Sequence, residues 1–133
     1  MLVLPATALD RLHALARAAA PAECCGLLIG RDTADGRRVT ALAPVPNDTR
    51  ERYAIPAARF LATERHARAQ GTHVCGVYHS HPAGPAQPSP LDVALAWPGL
   101  DYVIVDGAGA VRAWRLQESR RGFDEVPIRT TTA

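Results

Sequence analysis

Lysine is missing altogether from the 133 residues: all 15 basic side chains are arginines, set against 13 acids. With alanine in large excess, this reads as a GC-rich coding bias rather than as a binding device. The formal net charge of +2 is too small, and the arginines too scattered, to form the basic stripe that a nucleic-acid groove requires, so no nucleic-acid partner is expected. Long apolar runs are missing too. Nothing approaches the roughly 20 residues of a membrane span, and no membrane partner is expected. The N-terminus has no basic n-region, and Asp10, Arg11 and Arg17 interrupt the stretch where the apolar part of a signal peptide would lie. Cysteine is scarce. Three of them, with Cys24 and Cys25 adjacent, make no disulfide framework, and the cytoplasm is the expected location. What is present is a globular balance, 47% hydrophobic and 21% charged, in a chain long enough for one soluble domain with a real core.

No internal repeat interrupts the chain. After the apolar start Leu2 to Leu4, Pro5 and Thr7 open a helix whose Leu9, Leu12, Leu15, Ala16 and Ala19 fall at helical spacing, and Pro21 ends it. Cys24 to Ile29, closed by Gly30, reads as a buried strand. A turn at Asp35-Gly36 leads to a second strand, Val39 to Val45. A loop from Pro44 through Arg50-Glu51-Arg52 reaches Tyr53 to Ile55, and Pro56 suits the first turn of a second helix that ends near Gly71. Val74 to His79 is the third clear strand, followed by a Pro- and Gly-rich loop. Ser89 and Pro90 fit the N-cap and first position of a short helix that stops at Pro98. Tyr102 to Val105 and Val111 to Leu116 flank Asp106-Gly107-Ala108-Gly109 as a hairpin, and Val126 to Ile128 is a weak last strand. Strands mixed with two or three helices predict an α/β (α+β) fold, a sheet with helices packed on it. One domain over residues 1–128 is expected, with 129–133 as a frayed tail.

The chemistry concentrates in His79-Ser80-His81-Pro82 and Ser89-Pro90-Leu91-Asp92. Residues two apart in an extended chain point to one face, so His79 and His81 can aim both rings at one point. The loop after Pro82 turns the chain, and Asp92 arrives in the first turn of the next helix. Two imidazoles and a carboxylate leave a fourth position for water, the arrangement of a catalytic rather than a structural zinc. Such a metal makes hydroxide available near neutral pH. A His-x-His pair alone is more often packing. Ser89 and Asp92 also read simply as the N-cap and N3 acid of a capping box, but that leaves the two histidines unexplained. A hydrolase further needs a base. Glu23, at the head of an apolar strand, is the candidate, since a carboxylate beside a buried sheet has its pKa raised toward the useful range. Glu51 and Glu64 are its rivals, the latter on a solvated helix face. Buried packing is the preferred reading of Cys24 and Cys75 over ligation or redox switching. His73 shares strand parity with His79 but lies too far along the strand to be a ligand, and His13 and His66 read as helix-surface residues.

Glu, then His-x-His-Pro, seven residues, and Ser-x-x-Asp resembles the JAMM motif of the JAB1/MPN/Mov34 metalloprotease family. Glu23, His79, Ser80, His81, Pro82, Ser89 and Asp92 all match, and Cys25-Gly26 followed by apolar residues matches the context of the acid. The match spans residues 23 to 92, and the flanking elements extend it to nearly the whole chain. The resemblance implies a mixed, curved β-sheet flanked by helices, similar to the cytidine deaminase sheet. It implies that His79, His81 and Asp92 bind one Zn²⁺ per chain. Glu23 would take a proton from the attacking water and pass it to the leaving amine, and Ser89 would donate to the oxyanion. Ser80 is expected to orient the loop rather than to take part in chemistry.

Small standalone prokaryotic members of that family look like processing enzymes for ubiquitin-like sulfur carrier proteins of the ThiS/MoaD type. They remove residues after a C-terminal Gly-Gly or release cysteine from a carrier adduct, and the length of this chain fits that group. A Gly-Gly tail can enter a narrow groove beside the sheet, with Arg50, Arg52 and Tyr53 expected to help hold the carrier. The expected assembly is a monomer or homodimer. Two other readings stand beside this one: a RadC-like protein of other substrate, whose group typically carries a preceding helical domain, and a non-catalytic MPN-type binding scaffold, whose members usually lack motif ligands. Nucleobase deamination is disfavoured, because the His-x-Glu and Pro-Cys-x-x-Cys signature is missing.

Overall fold

A computed structural model of the chain describes residues 1–47 and 53–132. Eight strands form one mixed sheet, and three helices cover its faces. In chain order the elements are β1 (Leu2–Pro5), α1 (Ala6–Ala19), β2 (Cys25–Thr33), β3 (Gly36–Val45), α2 (Ala57–Ala69), β4 (His73–His81), α3 (Pro90–Leu95), β5 (Asp101–Asp106), β6 (Val111–Leu116), β7 (Phe123–Val126) and β8 (Ile128–Thr131). The order across the sheet is β7-β6-β5-β4-β2-β3-β1-β8. The β2–β3 and β5–β6 hairpins pair antiparallel, as does β4 with β2, whereas β4 pairs parallel with β5. The α+β expectation, a mixed curved sheet flanked by helices, is what the chain forms.

Each face of the sheet has its own core. On one, Leu12 of α1, with Leu9, Leu15 and Ala16 beside it, packs on Leu2, Leu4, Leu28, Val39, Tyr78 and Val103. On the other, Phe60 of α2 and Val93 and Ala96 around α3 pack on Leu27, Val77, Tyr102 and Leu116. Strand alternation therefore decides what each β4 residue meets. Val77 lies on the α2–α3 face and Tyr78 on the α1 face, so His79 and His81 share the α2–α3 side and Ser80 takes the other. Close approach also fixes one glycine near the site. A Cβ at Gly26 would fall inside the Tyr78 ring, so the strand leading away from Glu23 accepts no side chain there.

Several boundaries differ from the sequence reading. Gly30 does not close β2. It sits at a register shift between Ile29 and Gly30, where any Cβ would strike the Arg38 carbonyl, and the strand continues to Thr33. A second shift skips Cys75, since Leu28 faces Gly76 while Ile29 faces Val74. That bulge removes the parity once assigned to His73, which turns instead toward Asp32 at 3.5 Å. Pro56 is the N-cap of α2, one position ahead of the first turn in which it is expected. Residues expected as a frayed tail are ordered: Arg129, Thr130 and Thr131 pair in parallel with Val3, Leu4 and Pro5. Pro127, which offers no backbone N–H, separates β7 from β8, so the single weak strand becomes two. No helix among the described residues is long and apolar enough to cross a membrane.

Candidate active site

The C-terminal end of β4 delivers two rings to one point. His79 Nε2 and His81 Nε2 lie 3.0 Å apart, and Asp92 Oδ2 is 3.3 Å from the first and 3.2 Å from the second. Asp92 arrives through the capping box that opens α3. Its backbone N–H donates to Ser89 Oγ at 3.1 Å, and Ser89 N–H donates to Asp92 Oδ2 at 2.8 Å. The cap and the site are thus the same atoms, and the helix start aims the carboxylate. Between them the loop is held at two points. His81 Nδ1 bonds the Pro85 carbonyl at 2.8 Å, and the Trp114 indole N–H donates to the Ala86 carbonyl at 3.0 Å.

Glu23 comes from the head of β2, brought by pairing rather than by proximity in the chain. Ser80, between the two histidines, binds the adjoining residue twice: Cys24 N–H donates to Ser80 Oγ at 2.8 Å, and Ser80 N–H donates to the Cys24 carbonyl at 3.1 Å. Ser80 therefore fastens the segment that leads from Glu23 into β2, rather than the loop it is expected to orient. Asn47 adds a hold, its side-chain N–H donating to the Glu23 carbonyl at 2.9 Å. Glu23, His79 and His81 each offer a ligand-type atom within 4.8 Å of the others.

The donor set fits a metal ion. A carbonyl only accepts, so the proton of neutral His81 sits on Nδ1 and its Nε2 presents a bare lone pair to Asp92 Oδ2. Lone pairs held face to face repel unless a cation or a proton lies between them. A tetrahedral site with bonds of about 2.0 Å has ligand–ligand edges of about 3.3 Å, and the three separations here are 3.0, 3.2 and 3.3 Å. Glu23 completes a second grouping with the two histidines, whose ligand-type atoms lie within 4.8 Å of one another.

The electrostatics agree. Burial drives the His79 pKa down, keeping the imidazole neutral as a ligand must be. At His81 the hydrogen bond to Asp92 raises the pKa, so a proton and a metal compete for the same place. Burial pushes Asp92 upward, but hydrogen bonds with His79 and His81 outweigh it and hold the carboxyl well below its usual range. Glu23 moves the other way. Burial raises its pKa, His81 partly opposes, and the Asp92 charge adds to the rise.

These groups line a cleft of about 430 Å³ whose walls include Glu23, Tyr53, His81, Ser89, Asp92 and Leu95. Tyr53, expected at the substrate, lies in that wall with its ring stacked on His79, centroids 4.2 Å apart and planes 19° from parallel. Arg50 and Arg52, named with it, lie outside the described residues, as does the rival base Glu51. Glu64 is elsewhere: its carboxylate accepts the Val74 N–H at 2.9 Å and pairs with Arg68. The cysteines are free, and none belongs to the metal-ligand grouping found among the described residues. Burial pushes the Cys25 thiol up to about 11 and Cys75 up to about 12, as for inert packed thiols. His66 is exposed as expected, while His13 is half-buried and bonds the Gly109 carbonyl at 2.8 Å.

Comparison with known proteins places the chain among relatives. Residues 5–117 match the family described as prokaryotic homologs of the JAB domain. A protein of Thermus thermophilus, a probable TtuB-protein conjugate cleaving protease, is 33% identical over 123 residues, 90% of this chain and 79% of that one. A desampylase of Pyrococcus furiosus is 29% identical over 110 residues, 80% of this chain and 74% of the other. Among solved structures, a JAB1/MPN domain protein of Archaeoglobus fulgidus superposes with a TM-score of 0.63 at 21% identity, covering 98% of this chain and 96% of that one.

Proposed function

The chain belongs to the prokaryotic homologs of the JAB domain, and from that premise we propose that it is a zinc-dependent peptidase that hydrolyses the amide bond following the C-terminal Gly-Gly of a ubiquitin-like sulfur carrier. The observation that carries this reading is the convergence of His79 Nε2, His81 Nε2 and Asp92 Oδ2 within 3.3 Å of one another, with Glu23 beside them in an open cleft. The names of the two relatives, a conjugate-cleaving protease and a desampylase, support protein conjugates as the substrate class. The intact ligand set speaks against a purely partner-binding scaffold.

When bound there, zinc supplies Lewis acidity, acidifying water and polarising the substrate carbonyl. Everything else falls to the chain. His79 and Asp92, buried and neutral or anionic by their surroundings, are ready-made ligands. Glu23, its pKa raised by burial, accepts a proton from the attacking water and returns it to the leaving nitrogen. Hydroxide joins the carbonyl carbon, the C–N bond breaks, and the products are a carrier ending in a free carboxylate and an amine. Ser89 Oγ accepts the Asp92 N–H and still has its own proton to donate to the oxyanion. Tyr53 and Leu95 form the wall against which the substrate tail lies.

The test is incubation of the zinc-loaded protein with a ThiS/MoaD-type carrier extended beyond Gly-Gly, read by intact mass. Loss of the extension is expected, and Glu23→Gln is expected to retain about one zinc per chain while losing cleavage. A Glu23→Gln protein as active as the parent would sink the assignment of the base. Failure of the zinc-loaded parent to cleave any Gly-Gly-extended carrier would sink the substrate.

A further inference from the structure

Metal-bound imidazoles are ordinarily oriented by a hydrogen bond from the ring nitrogen that faces away from the metal. His81 has such a bond, from Nδ1 to the Pro85 carbonyl at 2.8 Å. His79 does not: its Nδ1 is buried and meets no protein partner among the described residues. Yet His79 is the better buried of the two, 1% exposed, and its ring plane decides where Nε2 points.

What lies against that ring is aromatic. The Tyr53 ring stacks on one side at 4.2 Å and 19°, and the His81 ring sits at 4.8 Å, tilted by 60°. Tyr53 is itself seated in the α2–α3 core beside Val77, Tyr102 and Phe60. Its backbone neighbour is tied to β2, with Cys25 Sγ 4.0 Å from the Ala54 carbonyl.

We propose that Tyr53 is a positioning residue that sets the plane of the His79 imidazole by stacking, in place of the hydrogen bond that its Nδ1 makes with none of the described residues. A ring wedged by a flat, core-anchored partner cannot turn about its Cβ–Cγ bond without striking it, so Nε2 stays aimed at the point shared with His81 and Asp92. The tyrosine hydroxyl has no part in this; only the flat face matters. The inference rests on the reading of His79 as a metal ligand.

Zinc affinity measured by competition with a chromogenic chelator, and the visible spectrum of the cobalt(II)-substituted protein, test it without any substrate. Tyr53→Phe is expected to bind zinc as the parent does and to keep the cobalt spectrum. Tyr53→Leu is expected to weaken zinc by about 10- to 100-fold, the usual effect of losing an orienting partner, and to shift the cobalt bands. Should Tyr53→Leu not fold, Tyr53→Met carries the same expectation. The proposal fails if the aliphatic variant binds zinc within about twofold of the parent with an unchanged cobalt spectrum, or if Tyr53→Phe loses as much as the aliphatic variant. His79→Ala separates two failures. If it leaves zinc affinity intact, the metal reading falls. If it lowers affinity and the aliphatic variant does not, only the role of Tyr53 falls.

Discussion

Asp92 and Asp101 are both buried carboxylates, 7% and 0% exposed, and they sit near opposite ends of β4. Their surroundings could hardly differ more. Asp101 receives the Arg115 guanidinium through Nε at 2.9 Å and a terminal nitrogen at 2.8 Å, with Arg37 at 3.5 Å on its other oxygen. Arg37 also donates to the Cys75 carbonyl at 2.9 Å, at the bulge of β4. Here the protein supplies the positive charge itself, and the cluster is a clasp. Asp92 faces two imidazoles, one of them kept neutral by burial, and no guanidinium among the described residues. The protein leaves the positive charge to come from outside. A buried acid given arginines by its own fold holds the structure together, while one left short of cations among imidazole nitrogens is a candidate place for a metal.

Exchanging each acid for its amide tests that contrast. The largest effect is expected at the site: Asp92→Asn should lose zinc, measured by elemental analysis, and hydrolysis with it. Asp101→Asn should instead unfold more easily, by about 1–3 kcal/mol in a urea titration, because a buried carboxylate is lost from two charge-assisted contacts whose arginines are themselves partly solvated. Its folded fraction should carry the parent's zinc. A variant at Asp101 that stayed stable but lost metal would erase the distinction. Next comes Ser89→Ala, with kcat down about 10²–10³-fold if the hydroxyl donates to the oxyanion, against a stability cost of about 1 kcal/mol for the lost cap. A loss of stability without a loss of kcat would reduce Ser89 to a cap.

The smallest effect is a pH response. Glu23 must be ionised to accept a proton, so kcat/KM at saturating zinc should fall with acid along a limb that is missing from the residual activity of Glu23→Gln. Without metal, burial raises the Glu23 pKa above 4.5, and a dication bound beside it should pull it down from there. The sign for stability is opposite. A carboxyl whose pKa is raised by folding favours the folded state below its unfolded pKa, and that contribution is lost as pH rises through the folded value. Acidification toward that window thus costs activity while the Glu23 contribution to stability grows.

Most of this site could be read from residues because most of it is local. His79, His81, Ser89 and Asp92 lie within one strand, loop and helix start, and spacing rules govern such segments directly. The clasp at Asp101 could not, since Arg37 and Arg115 reach it from other strands and nothing in their neighbourhood marks them. The same holds for β8. Thr130 and Thr131 show no apolar alternation and pair with Leu4 and Pro5, at the far end of the chain. The skipped Cys75 is another instance: a bulge shifts the parity of every residue before it, and His73 was misplaced on that account. Tyr53 was legible as a loop residue near the substrate, but its stacking on His79 depends on how the loop folds over β4.

The two hydrogen bonds between Ser80 and Cys24 span 56 residues, and this divides the site into a local part and a distant one. The ligands form from one short excursion of the chain, from β4 into α3. Glu23 joins them only after a long loop has closed and β2 has zipped onto β4, the slow and entropically costly kind of contact. A chain in which β2 had come away from β4 would keep His79, His81 and Asp92 within one segment and lose only Glu23 from their side. The placing of Glu23 beside the histidines is thus a property of the finished sheet, whereas the meeting of His79, His81 and Asp92 depends on one short stretch of chain.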